Sequence, residues 1–198
     1  PLTIIDSTFE GNEGERGGAI FNDSTSELYI EGSAFFNNIA LVDGGAISNF
    51  GPGTIANSTF SFNQAGIEGS FNPLGRGGAL EHGGFPPAPL SLHNCTFFLN
   101  RVWLFVDFDE ESINAENGGL SISNTILAKT GPFAGDRNCS VFTLPLISGG
   151  YNLFNDESCG LAGEGDILHL DPNGFPGDPL LFPLADNGGP TLTHAIHR

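Results

Sequence analysis

One short frame recurs along this chain and limits what it can fold into more than any other feature. It has the form I-x-N-S-T-F-x-x-N, and it occurs as IIDSTFEGN at residues 4–12, IEGSAFFNN at 30–38, IANSTFSFN at 55–63, LHNCTFFLN at 92–100 and ISNTILAKT at 122–130. The aliphatic column is Ile4, Ile30, Ile55, Leu92 and Ile122, and the aromatic column is Phe9, Phe35, Phe60 and Phe97, then Leu127. Within each copy the two positions are five residues apart, and an odd separation in one unbroken strand sends them to opposite faces. A tight bend between them returns both to the interior. The residues at that bend are Asp6, Gly32, Asn57, Asn94 and Asn124, types that accept left-handed backbone angles or bond their own backbone. This polar column therefore reads as a corner rather than a catalytic line.

A unit of about 25 to 37 residues holding two or three short strands cannot bury an apolar face alone. Stacking solves the problem: each strand pairs in parallel with its equivalent in the next unit, at about 4.8 Å, and the columns become internal stacks. Asn12, Asn38, Asn63 and Asn100, three residues past each aromatic, are then expected to form an amide ladder. Parallel crossovers are right-handed. The expected fold is all-β, a right-handed parallel β-helix or solenoid of about five coils over residues 1–130, with an insertion at 101–117. Residues 131–198 are read as an irregular extension or cap of the same domain.

The paired glycines Gly17-Gly18, Gly44-Gly45 and Gly77-Gly78 lie after the Asn of one frame and before the Ile of the next, and each pair leads into Ala and then Ile or Leu. They read as sharp corners that open a strand, with Ala19, Ala46 and Ala79 taking little room inside. A phosphate cradle would need a following helix and a Lys, and neither is present. After Asn100 the GGA motif does not return. Residues 101–117 read RVWLFVDFDEESINAEN, so the regular strand is expected to be missing there, replaced by an elongated corner or an extra strand.

Composition agrees: 29 Gly, 13 Pro and only 15% charged residues describe a turn-rich β protein. Six Lys and Arg against 23 Asp and Glu give a net charge of -17, which repels phosphate backbones and anionic lipid. Nucleic acid is therefore excluded as a partner, and no apolar run reaches the roughly 18 residues of a membrane span. The chain opens mid-repeat, so an upstream segment is expected. Of three cysteines, Cys139 and Cys159 flank a turn-rich segment that a disulfide would close in an oxidising compartment, the alternative being two unpaired buried thiols. Cys95 stands where other frames carry Ser or Thr and reads as a small packed residue.

No catalytic residues are assigned. Asp6, Asp43 and Glu81 occur singly at different frame positions, Lys129 is the only lysine, and a pair of facing carboxylates is not expected. Asp107, Asp109, Glu110 and Glu111 form a weak calcium candidate, weighed against a solvated acidic face, and no other cofactor is expected. Among the histidines only His194 and His197 are close in sequence, weak grounds for zinc. Asn22, Asn57, Asn94 and Asn138 match the N-glycosylation triplet, the middle two by virtue of the repeat frame. Loops carrying Phe85, Trp103, Phe105, Phe108 and Phe175 are candidates for contact with a protein partner or a second copy. The alternative is that they pack back as cover or cap.

GGAI at Gly17, GGAI at Gly44 and GGAL at Gly77 alternate with FEGN, FFNN, FSFN and FFLN, beginning at Phe9, Phe35, Phe60 and Phe97. This alternation resembles the repeats of the chlamydial polymorphic outer-membrane proteins and of other bacterial parallel β-helix repeat proteins. The C-terminal third carries Cys139-Ser140, Gly150-Tyr151-Asn152-Leu153, Ser158-Cys159-Gly160 and PLADNGGPT from Pro183, then Thr193-His194-Ala195. It is similar to the tail of large secreted bacterial proteins that bear a choice-of-anchor domain, whose sequence continues beyond this run. The resemblance implies export, a secreted or cell-surface location and no established chemistry. The leading reading is a non-catalytic structural or adhesin-like module of a larger surface assembly. Its alternatives are a carbohydrate-active enzyme or sugar-binding module, and an accessory subunit held in a complex through its loops.

Overall fold

The computed structural model describes residues 1–67, 75–84, 87–104, 107–109, 111–116, 119–129, 137–141 and 146–197, with side chains at all of these but 104, 107–109 and 141. The chain is all-β, and its strands form four sheets. The first sheet takes Leu2–Ile5, Leu28–Glu31, Gly53–Ala56, Pro89–His93, Gly119–Ser123 and Ile147–Gly150 in spatial order. The second takes Thr8–Glu10, Ala34–Phe36, Thr59–Ser61, Thr96–Phe98, Ile126–Ala128, Leu153–Phe154 and Ile167–Leu168. The third runs Glu13–Arg16, Ile39–Asp43, Gln64–Ala65, Arg101–Leu104 and Asp107–Asp109, and the fourth runs Ile20–Asn22, Ile47–Asn49, Leu80–His82, Glu111–Ala115 and Arg137–Val141. Among the described strands every pairing is parallel except that of Asp107–Asp109 with Arg101–Leu104. A full unit thus holds four strands, not the two or three expected, because the stretch after the ladder Asn pairs as well as the frame and the GGA segment.

Register brings like residues together. Ile4, Ile30, Ile55, Leu92 and Ile122 are direct partners across the first sheet. Phe9, Phe35, Phe60, Phe97, Leu127 and Phe154 are direct partners across the second. The four Phe rings stack at 4.8, 4.9 and 4.6 Å with interplanar angles of 0°, 3° and 4°. A third column, Ile20, Ile47, Leu80, Ile113 and Cys139, comes from the fourth sheet, and the three columns meet as one core.

The Asn ladder forms as expected. Asn12 donates from Nδ2 to Asn38 Oδ1 at 2.9 Å, Asn38 to Asn63 Oδ1 at 2.9 Å, and Asn63 to Asn100 Oδ1 at 2.9 Å. Each Oδ1 also accepts the backbone N–H of the preceding Asn, and the second amide hydrogen goes to Phe9, Phe35 or Phe60 O. The corner residues Asp6, Gly32, Asn57, Asn94 and Asn124 all have φ between 46° and 60°. A second left-handed corner, which residue type marks at only two of its four positions, falls at Gly11, Asn37, Phe62 and Leu99, one residue before each ladder Asn. Phe62 and Leu99 hold an angle that costs roughly 1–2 kcal/mol, and the amide bonds of the next residue fix the turn. At the GGA corner, Gly44 has φ 66°, and a Cβ there would run into the Ile47 carbonyl, while one on Gly45 would strike the Gly78 carbonyl of the next unit. Backbone meets backbone at that edge, which explains the pair of glycines.

Two expectations need correction. The extra strand expected after Asn100 is found, as Asp107–Asp109, but the regular strand expected to be missing is present despite the lost GGA motif: Glu111–Ala115 pairs with Leu80–His82, Gly78 N–H and Ala79 N–H donate to Glu111 O and Ser112 O, and Ile113 lies in the core. A small residue followed by a branched one satisfies the inward positions without the glycines. The C-terminal segment is also less irregular than expected, since Arg137–Val141, Ile147–Gly150, Leu153–Phe154 and Ile167–Leu168 extend three of the four sheets. Cys139, on the last strand of the fourth sheet, is disulfide-bonded to Cys159 at the end of a short 3-10 turn, Glu157–Cys159. Closing this 20-residue separation is worth about 3 kcal/mol in chain-entropy terms. The tail then returns over the second sheet, where Thr191 Oγ1 donates to Gly32 O at 3.0 Å. Among the described residues no helix is long and apolar enough to cross a membrane.

Candidate functional site

Ile47, Leu80 and Ile113 point into the core from the fourth sheet, so the residues after them, Ser48, Glu81 and Asn114, occupy the opposite face. These three are direct partners on adjacent strands. The same row begins with exposed Phe21, yet Ser48, Glu81 and Asn114 are at most 1% exposed. Ser48 Oγ, Glu81 Oε2 and Asn114 Oδ1 have no hydrogen-bond partner. Three neighbouring buried oxygens left bare in one row break the rule that buried polar groups are paired.

An ionic cluster surrounds the row. Arg76 donates from Nε to Asp43 Oδ1 at 3.1 Å and from Nη2 to Asp43 Oδ2 at 3.4 Å, while its Nη1 bonds Glu116 Oε1. Arg16 approaches Asp43 at 3.8 Å. Glu111 Oε1 accepts the Gly77 N–H at 2.8 Å and the Asn114 amide at 3.4 Å. Burial pushes the Glu81 carboxyl up to about 8; Arg76 opposes the rise, and Asp43, Glu116 and Glu111 add to it. Burial also works against the charge of Arg76, but its bonds to Asp43 outweigh that and hold the guanidinium protonated. Glu81 is therefore largely neutral at pH 7. An ideal Cβ built on Gly83 would meet Glu81 Oε1 at 3.5 Å, the Phe50 ring at 3.7 Å and Glu116 Cβ at 4.0 Å, which places these groups around one spot.

The next residue along these strands continues the polar theme. Asn22 donates to Asn49 Oδ1 at 2.7 Å, Asn49 Nδ2 lies 3.1 Å from His82 Nδ1, and His82 Nε2 lies 2.9 Å from Ala88 O. Burial lowers the affinity of His82 for a proton, so the neutral ring accepts at Nδ1 and donates at Nε2. This group is fully paired.

A second constellation joins the tail to the second sheet. Ser61 Oγ is 2.7 Å from His194 Nε2, and His194 Nδ1 is 2.7 Å from Phe182 O. Burial keeps His194 neutral, so Nδ1–H donates to the carbonyl and Nε2 accepts the Ser61 proton. The pair has the geometry of a serine activated by histidine. Ser61 is fully buried, however, and Phe98 packs edge-on against the imidazole at 5.0 Å, so the pair acts as a latch. The same tail roofs an apolar cavity of about 290 Å³ between Ile126, Leu153, Leu180 and Ile196.

The sequence candidates fare unevenly. Phe85, Phe105 and Glu110, and the side chains of Asp107, Phe108 and Asp109, lie outside the described residues. Glu111 is buried against Gly77 and belongs to the Arg76 cluster. Trp103 is half-buried on the third sheet, and Phe175 is exposed in the Asp171–Phe175 turn. His194 is engaged with Ser61 and Phe182 O, and His197 stacks on Phe182 at 4.1 Å. Lys129 is engaged with Asp156 at 3.6 Å. Cys95 is buried, its thiol pushed up to about 12 by burial, and it points at His93 O as Ser33 and Ser58 point at Glu31 O and Ala56 O. Of the glycosylation triplets, Asn22 and Asn138 are buried and Asn57 and Asn94 are exposed. Carboxylates dispersed in sequence do come near one another: Asp43, Glu111 and Glu116 all add to the rise of the buried Glu81 carboxyl, and Arg76 opposes it. An acidic residue at the strand position after the GGA[IL] motif was the one signal that could have pointed to Glu81.

Among the described residues no three His, Cys, Asp or Glu side chains converge as a metal-holding group. Compared with protein-family models, with curated proteins and with solved structures, the chain has no match.

Proposed function

We propose that this chain is a right-handed parallel β-helix serving as an exported, non-catalytic structural or adhesin-like module, mounted at a bacterial cell surface. The observation that carries this reading is the in-register stacking of identical side chains, the Phe9 to Phe97 rings beside the Asn12 to Asn100 ladder. Such columns spend the interior on stiffness along the stacking axis, and four faces of short parallel strands suit a spacer or display rod. The Cys139–Cys159 bond fits an oxidising location outside the cytoplasm. The formal net charge of -17 favours partners reached through loops over nucleic acid.

The carboxylates around Arg76 favour one further reading, a carbohydrate-active enzyme with Glu81 as the acid held protonated. Burial argues against it, because a glycosidic oxygen must reach that carboxyl. Displaying the chain on a bacterial surface through a heterologous anchor tests both. The module reading expects attachment to host cells or matrix, with resistance to proteolysis and no release of reducing ends or unsaturated uronates from a polysaccharide panel. Polysaccharide cleavage that is lost in Glu81→Gln would overturn it.

A further inference from the structure

We propose that the C-terminal hairpin, residues 180–197, is an exchangeable arm that docks on the second sheet of another copy of this chain and joins two copies tail to tail. The arm is a unit by its own bonds. Phe182 N–H donates to Ala195 O at 2.8 Å, Ala185 and Thr193 exchange both backbone bonds at 3.0 Å, and His197 N–H donates to Leu180 O. Leu181 and Ile196 pair across the same hairpin. It meets the body through the Ser61 to His194 bond, the Phe98 ring against His194, Thr191 Oγ1 on Gly32 O, and the apolar contact of Leu180 and Ile196 beside Ile126 and Leu153. None of these contacts requires both partners to belong to one copy, and an arm that swings out carries its own pairing with it.

The path of the arm sets the geometry of exchange. Gly32 belongs to the second unit, Ser61 to the third, and Ile126 and Leu153 to the fifth and sixth, so the arm runs back along the stacking axis from the last units toward the first. When two copies meet at their C-terminal ends about a two-fold axis, an arm that continues forward follows that same path on the partner's second sheet. The chain has a place to make this change. Pro176, Gly177, Asp178 and Pro179 lead into the arm, and Leu180 stands at φ 54°, a left-handed angle unfavourable for leucine. Asp178 Oδ1 accepts the Leu180 N–H at 2.8 Å and fixes this reversal. A short hinge under strain favours exchange, because opening it releases the strain while the docked contacts are remade on the partner.

The end that faces the partner in such a pair is apolar. Ile147, Tyr151, Ile167 and Leu168 lie on the last strands of the first and second sheets or the corner after Gly150, and they are 60, 61, 56 and 38% exposed. Exposed apolar groups gathered at one end mark a contact surface. Ile167–Leu168 also closes the second sheet, and a strand at a sheet edge offers its backbone for pairing. Two such ends meeting supply an interface that exists only in the pair, which is what tips docking in trans over docking in cis. The formal net charge of -17 on each copy opposes the approach, so association needs enough salt to screen it.

The test refolds an equal mixture of unlabelled and isotope-labelled chain at high concentration and physiological ionic strength, and follows mass by light scattering. A species of twice the chain mass is expected, in a share that rises with protein concentration. A photo-reactive benzophenone side chain in place of Phe182 then crosslinks the arm to the sheet beneath it, and mass spectrometry reads the label on each side. Mixed-label pairs are expected in the dimer. Leu180→Asn, whose side chain tolerates the left-handed angle, lowers the dimer share about tenfold. Ile147→Asp combined with Ile167→Asp lowers it through the end contact. Ser61→Ala removes the same bond from docking in cis and in trans and leaves the share unchanged. The proposal is overturned by a chain that stays monomeric at every concentration, by a dimer whose arm crosslinks never mix labels, or by a dimer share that ignores Leu180→Asn and follows Ser61→Ala.

Discussion

The ladder beside the Phe stack and the row on the fourth sheet are built by the same operation, yet one is saturated and the other bare. Asn63 gives both amide hydrogens away, to Phe35 O and Asn100 Oδ1, and accepts two bonds from Asn38. Ser48, Glu81 and Asn114 stand in equally direct register with their Oγ, Oε2 and Oδ1 unmet. The difference lies in composition down the column. A carboxamide carries donor and acceptor together, so identical copies satisfy one another indefinitely. Serine, glutamate and asparagine in sequence differ in reach, so their donors and acceptors do not fall opposite one another. Repetition of backbone therefore solves pairing only where the side chain repeats too.

Removing a ring from the saturated side should cost most. Phe60→Ala takes a fully buried ring from between two stacked neighbours and should lower unfolding free energy by about 4 kcal/mol, read by chemical denaturation. A loss below about 1 kcal/mol would mean that the stack is not a packing unit. Asn63→Leu should come next, at about 3 kcal/mol, because it strands the Asn38 amide and Phe35 O in the interior. Were that variant as stable as the parent, the contrast between saturated and bare columns would lose its energetic basis.

On the bare side the effect should have the opposite sign. Burial raises the folded-state carboxyl of Glu81 to about 8 from 4.5, so its stabilising protonation is complete below pH 4.5 and lost as pH rises toward 8. Glu81→Gln should match the parent at pH 4 and exceed it by roughly 2 kcal/mol at pH 9. Equal pH dependence in parent and variant would place the titration elsewhere. The smallest effect should be Cys95→Ser, under about 1 kcal/mol, since the hydroxyl restores what Ser33 and Ser58 do in the same column. A large loss there would show that sulfur packing, and not the bond to His93 O, holds that position.

Much of this was legible before any coordinates. Asp6, Gly32, Asn57, Asn94 and Asn124 announced their corner by residue type, and the ladder followed from Asn spacing. Phe62 and Leu99 gave no sign of theirs, because tertiary bonds from the following Asn override local preference. The strand at Glu111–Ala115 was hidden because Ser112-Ile113 meets the inward requirement without the expected letters. The site stayed hidden for a different reason. Asp43, Arg76, Glu81 and Glu116 are neighbours only after three units stack, and no local pattern encodes a contact that register creates. The Ser61 to His194 bond, spanning 133 residues, lies further still beyond such reading.

That last bond changes how the molecule comes apart. A linear array whose members touch only their neighbours unravels rung by rung from whichever end is weaker. Here the tail reaches back across the second sheet to Ser61 and, through Thr191, to Gly32, so late sequence is tied to early sequence. Fraying from the C-terminal end must first peel this strap, and the opening units gain their hold only once the tail has been made. A strap of this kind ties distant rungs together, and the expected consequence is one sharp melting transition in place of stepwise unravelling.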